Sequence, residues 1–376
     1  MKIVMITSGA ATVPNFRGLL IRTLVERGIE VVAMAPDWTD ALRARTRALG
    51  AEPVDISLDR AGVKPLRDLA DCWRLRRQLA THAPEAVLCY FVKPAIFGSL
   101  AAWAARIPRR IALIEGLGYV FTDGEGSESL KRRLLRGVSR ILFKVGLLAA
   151  HRVAFLNEDD AEQFRHMQLV PREKIAVLGG IGVDLEELPF SPPPSGPVTF
   201  LMMGRLLREK GVREFVAAAR QVKTLHPKAR FILLGDRDAN PGSVSQEELA
   251  EWTGSGTVDW PGHVDDVPGW LRQASVFVLP SYREGVPRST QEAAALGRAI
   301  ITTDAVGCRE TVVDGRNGFM VPVRSVGELA QAMLRFVEEP ELIARMGTAS
   351  RALAEERFDA HVWNERMAHL LTAERL

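Results

Sequence analysis

A chain of 376 residues is about twice what one core organises, so two domains of roughly 150–200 residues are expected. With 47% apolar, 25% charged and 7% aromatic residues it is no disordered chain, collagen-like repeat or disulfide scaffold. Forty-nine Lys and Arg against 46 Asp and Glu leave +3, too little for the field of a dedicated nucleic-acid binder.

The charge is unevenly spread. Residues 1–188 hold 27 basic and 22 acidic side chains, so the positive balance belongs to the front half. Cys72, Cys89 and Cys308 show no C-x-x-C spacing and leave an odd thiol, which suits a reducing cytosol and gives no metal-ligand pattern. The apolar run at Ile3–Ile6 is too short for a signal peptide, and no uncharged apolar stretch of about 18 residues exists. A cytoplasmic location is expected.

In chain order, short β-branched and apolar runs fall at 2–7, 30–36, 53–58, 86–91, 110–115, 152–157 and 174–178, with helical-period segments between them. That alternation predicts a parallel sheet flanked by helices. Ala86–Phe91 is apolar on both faces, as a strand covered on both sides would be. The loop holding Gly9 ends the first strand and Arg17 lies in the helix after it, but no G-x-G-x-x-G is present, which argues against a nicotinamide dehydrogenase. Lys93 and Glu115 follow the fourth and fifth strands, and Tyr119 comes four residues after Glu115.

Lys131 to Arg152 holds seven Lys or Arg and no acid, interleaved with Leu134, Leu135, Ile141, Leu142, Phe143, Leu147 and Leu148. Two readings fit. Lys131, Arg132, Arg133, Arg136, Arg140 and Lys144 could meet anionic lipid headgroups while apolar side chains enter a membrane interface. Alternatively, the helix packs on the core with a solvated basic face.

Ser191–Pro197, with four prolines, reads as a stiff domain linker, because the strand pattern restarts just after it. The second series falls at 198–203, 230–234, 257–260, 275–280, 299–303 and 318–321. The expected organisation is therefore domain 1–190, linker 191–197, domain 198–356 and a C-terminal helix 357–376. That helix should bury Phe358, Val362, Met367, Leu370 and Leu371 against one domain or the other.

The second domain carries the chemistry. Its first strand runs into Met203-Gly204-Arg205-Leu206-Leu207-Arg208-Glu209-Lys210-Gly211, and Phe277–Pro280 leads through Ser281, Glu284, Gly285, Val286 and Pro287 into a helix bearing Glu292. A strand ending in such a turn aims helix amides at the sheet's carboxyl edge and suits an anion. Glu284 and Glu292 supply hydroxyl acceptors on either side of a phosphate, the layout of a nucleotide sugar. Asp236, Asp238, Asn240 and Pro241 stand at another carboxyl edge, as base or ribose contacts or as loop-shaping residues.

The E-x7-E spacing of Glu284 and Glu292, its Val-Leu-Pro-Ser-x-x-Glu-Gly-x-Pro frame and the downstream Gly307-Cys308-Arg309-Glu310 resemble retaining glycosyltransferases of family four. The resemblance implies the GT-B fold, two doubly wound α/β Rossmann-like domains facing across a cleft. It puts Arg205 and Lys210 on the donor pyrophosphate and Glu292 on the ribose. Glu284 would face the transferred sugar with the amides of Gly285, Val286 and Pro287, and the Gly9 loop would approach the donor phosphate. Arg17, Lys93 and Tyr119 fall on the acceptor side. Glu115 stands where many relatives have His or Asp, as a general base or as a structural or sugar-binding carboxylate.

Tyr90–Ser99 and Glu115–Tyr119 look like the bacterial branch containing PglA-like N-acetylgalactosaminyl transferases. That branch implies a UDP-sugar co-substrate, a polyprenyl-diphosphate-linked acceptor, no metal and no nucleic acid. It also implies a peripheral position on the inner face of the cytoplasmic membrane. A transferase with a soluble acceptor and a UDP-sugar epimerase are the competing readings.

Overall fold

The computed structural model describes residues 1–58, 65–116, 130–238, 240 and 242–373, except for the side chains of 65 and 66 in the helix Pro65–His82 and of 130–132, 134 and 135 in the helix Leu130–Leu148. Tyr119 and Pro241, and the side chains of Lys131 and Arg132, thus lie outside the described residues.

The chain forms two compact units, Met1–Ile181 with Ala360–Leu376, and Gly182–Asp359. The first is built on β1 (Lys2–Ile6), β2 (Glu30–Ala35), β3 (Ala51–Asp55), β4 (Ala86–Tyr90), β5 (Arg109–Ile114), β6 (Arg152–Phe155) and β7 (Ile175–Val177). They form one parallel sheet in the order β3-β2-β1-β4-β5-β6-β7. All five residues of β4 are buried, which its unbroken apolar run requires of a central strand.

The second unit is built on β8 (Thr199–Met203), β9 (Arg230–Leu234), β10 (Asp259–Gly262), β11 (Val276–Leu279), β12 (Ala299–Thr303) and β13 (Gly318–Val321). Their order is β10-β9-β8-β11-β12-β13, again parallel. Phe200 and Phe231 stack 5.1 Å apart in its core, with Phe215 edge-on to Phe231 at 6.0 Å. Every expected strand forms. β3 starts two residues earlier than its expected range and β10 two residues later, β10 pairing irregularly with β9.

The expected linker is placed differently. Ser191–Pro197 lies inside the second unit, where buried Arg298 donates to Ser191 Oγ at 2.9 Å and to the Ala274 carbonyl at 2.8 Å. Prolines mark an extended path there, but Arg298 ties that path to the unit. The chain crosses between units at 181–182 and at 359–360 instead.

The last helix, Ala360–Thr372, belongs to the first unit and packs on the helix Thr12–Glu26. Trp363, Met367 and Leu371 set its buried stripe at spacings of four, which leaves Val362 50% exposed rather than buried as expected. Phe358 is buried but precedes this helix, and Leu370 is half-buried. Trp363→Ala should therefore cost about 3 kcal/mol in urea unfolding, whereas Val362→Ala should stay within about 0.5 kcal/mol.

Candidate active site

In an open parallel sheet, ligands gather where the strand order reverses direction, beyond the carboxyl ends of the two strands that flank the reversal. In the second unit those strands are β8 and β11. Lys210 follows β8 and Glu284 follows β11, and the two meet: Lys210 Nζ lies 2.5 Å from Glu284 Oε1, which also accepts from Ser281 Oγ at 2.7 Å. Neither side chain is sealed, Lys210 being 20% and Glu284 12% exposed. Gly211 turns the chain after Lys210 with φ +75°, and a Cβ there would collide with the Pro280 carbonyl, so glycine lets the two loops touch.

The turn through Gly285, Val286 and Pro287 is buried and held from behind. Gln291 Nε2 donates to the Val286 carbonyl at 3.1 Å, and Thr290 Oγ1 to the Pro287 carbonyl at 2.7 Å. Glu284 N donates to the Val306 carbonyl, and at Gly307, φ +76°, a Cβ would strike the carbonyl oxygens of Glu284 and Gly285. Cys308 sits behind with its thiol pushed up to about 12 by burial and, secondarily, by the Glu284 charge; it is inert packing.

Glu292 stands on the following helix, Arg288–Ala295, and accepts from Arg288 Nε at 2.8 Å. Burial pushes its carboxyl above the usual range, and the Arg288 charge opposes that shift. Arg205 is half-exposed and reaches Asp238 at 3.1 Å. Tyr282 accepts a 4.6 Å stack from Arg324 and donates to Glu214 at 2.5 Å; burial first and that bond second push its phenol up to about 12. The sequence reading gave no individual role to Gln291, Thr290 or Gly307, uncharged residues that meet the backbone carbonyls of the turn.

In the first unit the order reverses between β1 and β4. The Gly9 loop follows β1, its carbonyl accepting from Thr12 Oγ1 at 2.6 Å, and Thr12 Oγ1 lies 3.4 Å from the Tyr90 hydroxyl at the end of β4. Phe91 holds φ +71°, a conformation costly for a bulky side chain, and a single π turn covers Pro94–Gly98.

Arg17 and Lys93, expected on the acceptor, each pair with an acid inside the unit. The Arg17 side chain is fully buried, ion-paired with Glu115 and stacked over Tyr90 at 4.6 Å and Trp363 at 5.2 Å. Lys93 is 10% exposed and pairs with buried Asp68 at 2.9 Å. A buried cation needs a nearby counter-charge, and both have one at hand. Burial pushes the Glu115 carboxyl up against the opposing pull of Arg17.

On the helix Leu130–Leu148, Phe143 and Leu147 enter the core, while Val138, Ile141, Val145 and Leu148 form an exposed stripe. Arg133, Arg140 and Lys144 are exposed and Arg136 half-exposed. Among the described residues no helix is long and apolar enough to cross a membrane, and no three His, Cys, Asp or Glu are grouped to hold a metal ion.

A family profile described as "Glycosyl transferases group 1" matches residues 197–339, and one described as "Glycosyl transferase 4-like domain" matches 15–180. The N,N'-diacetylbacillosaminyl-diphospho-undecaprenol alpha-1,3-N-acetylgalactosaminyltransferase of Campylobacter jejuni is 31% identical over 98% of both chains. The UDP-Gal:alpha-D-GlcNAc-diphosphoundecaprenol alpha-1,3-galactosyltransferase of Escherichia coli is 24% identical over 74% of this chain and 72% of its own. Anabaena Alr3699/HepE, solved with UDP and glucose, superimposes with a TM-score of 0.78 at 18% identity over the whole of both chains. With both units matched and a relative similar from end to end, the chain belongs to the glycosyltransferases of group 1, built on two Rossmann-like units.

Proposed function

We propose that this protein is a retaining transferase that moves N-acetylgalactosamine from its UDP conjugate to a polyprenyl-diphosphate-linked saccharide, without a metal ion. The observation that carries the reading is the Lys210–Glu284 pair at the strand-order reversal. The acceptor class and the sugar rest on the names of the Campylobacter and Escherichia relatives.

On this reading the donor diphosphate takes Lys210 from Glu284 and Arg205 from Asp238. Two cations then offset the charge that develops on the departing UDP. Glu284, released from Lys210, accepts from hydroxyls of the transferred sugar and stabilises positive charge at the anomeric carbon. The acceptor hydroxyl attacks from the face the phosphate leaves, and the phosphate oxygen takes its proton, so configuration is retained. Glu292 accepts from the ribose. The helix Leu130–Leu148 lays its exposed stripe on the inner face of the cytoplasmic membrane, where the acceptor resides.

Lys210→Ala and Glu284→Ala should each lower kcat/KM by about a hundredfold or more, and EDTA should leave the wild-type rate unchanged. Turnover lost on chelation contradicts the mechanism.

A ribose hydroxyl donates more strongly to an ionised carboxylate than to the neutral acid. Because burial raises Glu292, UDP affinity should fall as pH drops through a value above that of an ordinary carboxyl. Calorimetric titration of UDP should find that step abolished in Glu292→Gln, with Kd about 10–100 times higher at neutral pH.

Gly307→Ala should shift the 284–287 turn and lower kcat at least about tenfold with the fold intact, read by single-turnover kinetics beside circular dichroism. Against an epimerase, UDP-N-acetylgalactosamine incubated without acceptor should yield no second UDP-sugar.

A further inference from the structure

In the first unit the helix Ser99–Ala104 packs against both Pro65–His82 and Leu130–Leu148. Trp73 is 52%, Trp103 60% and Leu69 67% exposed on the first two. Large aromatics are seldom so uncovered, and grouped apolar exposure marks a contact surface. Leu69, Trp73, Ala104 and Arg76 help line an open groove of about 500 Å³ between these two helices.

Among the described residues of these helices the exposed charges are of one sign. Arg76 and Arg77 stack on Trp73 at 4.7 and 5.6 Å. The acids of the helix Pro65–His82, Asp68 and Asp71, are both buried, Asp68 against Lys93 and Asp71 against Ser57 and Arg74. Ser99–Ala104 has no ionisable side chain and Leu130–Leu148 has no acid. Among the described residues these three helices therefore expose apolar groups and cations and no carboxylate.

We propose that the groove between Pro65–His82 and Ser99–Ala104 is a second membrane-contacting surface, made for an anionic lipid bilayer. Trp73, Trp103 and Leu69 enter the boundary between headgroups and acyl chains, where indole rings partition well, and Arg76 and Arg77 meet lipid phosphates. The proposal rests on the reading of a lipid-linked acceptor and adds a second surface beside the one proposed on Leu130–Leu148. A protein partner is disfavoured because an apolar surface whose charges are all cationic matches a bilayer of anionic headgroups over hydrocarbon without further requirement.

Flotation with vesicles of phosphatidylglycerol and phosphatidylethanolamine tests it. The double variant Trp73→Ser/Trp103→Ser should lose at least about tenfold in vesicle partitioning while its UDP affinity and melting temperature match wild type. Partitioning within about twofold of wild type overturns the proposal. Arg140→Ser/Lys144→Ser separates the two readings. If that variant stops floating while the tryptophan variant still floats, the helix reading stands and this one falls. The reverse result supports this surface and removes the helix. A wild-type protein that stays with the aqueous fraction overturns both and leaves sugar transfer to a detergent-dispersed acceptor as a separate question.

Discussion

The ion pair between Lys210 and Glu284 joins the loops that follow β8 and β11 and is the interaction on which the candidate site depends. Two parallel strands, β8 and β11, run side by side while their following connections depart in opposite directions, and that divergence leaves room beyond their ends. Two partly dehydrated charges placed there need each other in the absence of ligand, because either one alone would be costly. On the proposed reading a diphosphate flanked by a sugar would offer both a partner at once: anionic oxygens to the lysine and hydroxyl donors to the glutamate. Pairing in the free protein would then hold the two groups in place until the donor separates them.

The surrounding architecture fixes that pair. Gly211 lets the Lys210 loop lie against the Pro280 carbonyl, Gly307 lets the loop after β12 lie against the carbonyls of Glu284 and Gly285, and Gln291 and Thr290 fasten the 286–287 carbonyls from the buried side. Rigid support from uncharged groups suits electrostatic stabilisation, whose benefit depends on dipoles and charges that do not reorganise during the reaction. The first unit uses buried charge in another way. Arg17–Glu115 and Lys93–Asp68 are sealed pairs, and Arg17 also stacks on Trp363 of the C-terminal helix. Charge there fastens elements at the carboxyl end of the sheet, beside the strained Phe91 and the Pro94–Gly98 turn.

Much of this was legible in the sequence, for physical reasons. Buried parallel strands are short runs of β-branched and apolar residues, so all thirteen could be located, and charged residues on loops after such strands point to the ligand edge. What periodicity could not convey was partnership. Nothing local announces that Arg17 finds Glu115, that Arg298 captures Ser191 and draws a proline-rich segment into one unit, or that Gly307 props Glu284. Those contacts span many residues of chain. Val362 was misplaced for a subtler reason: it shares the apolar character of the buried stripe, and the phase is set by Trp363, one position further on.

The most direct measurement is a crystal structure of the protein soaked with UDP-N-acetylgalactosamine. Lys210 Nζ is predicted to leave Glu284 and lie within hydrogen-bond distance of a donor phosphate oxygen, with Glu284 on the sugar hydroxyls. Donor bound elsewhere, with the Lys210–Glu284 pair intact, would contradict the account.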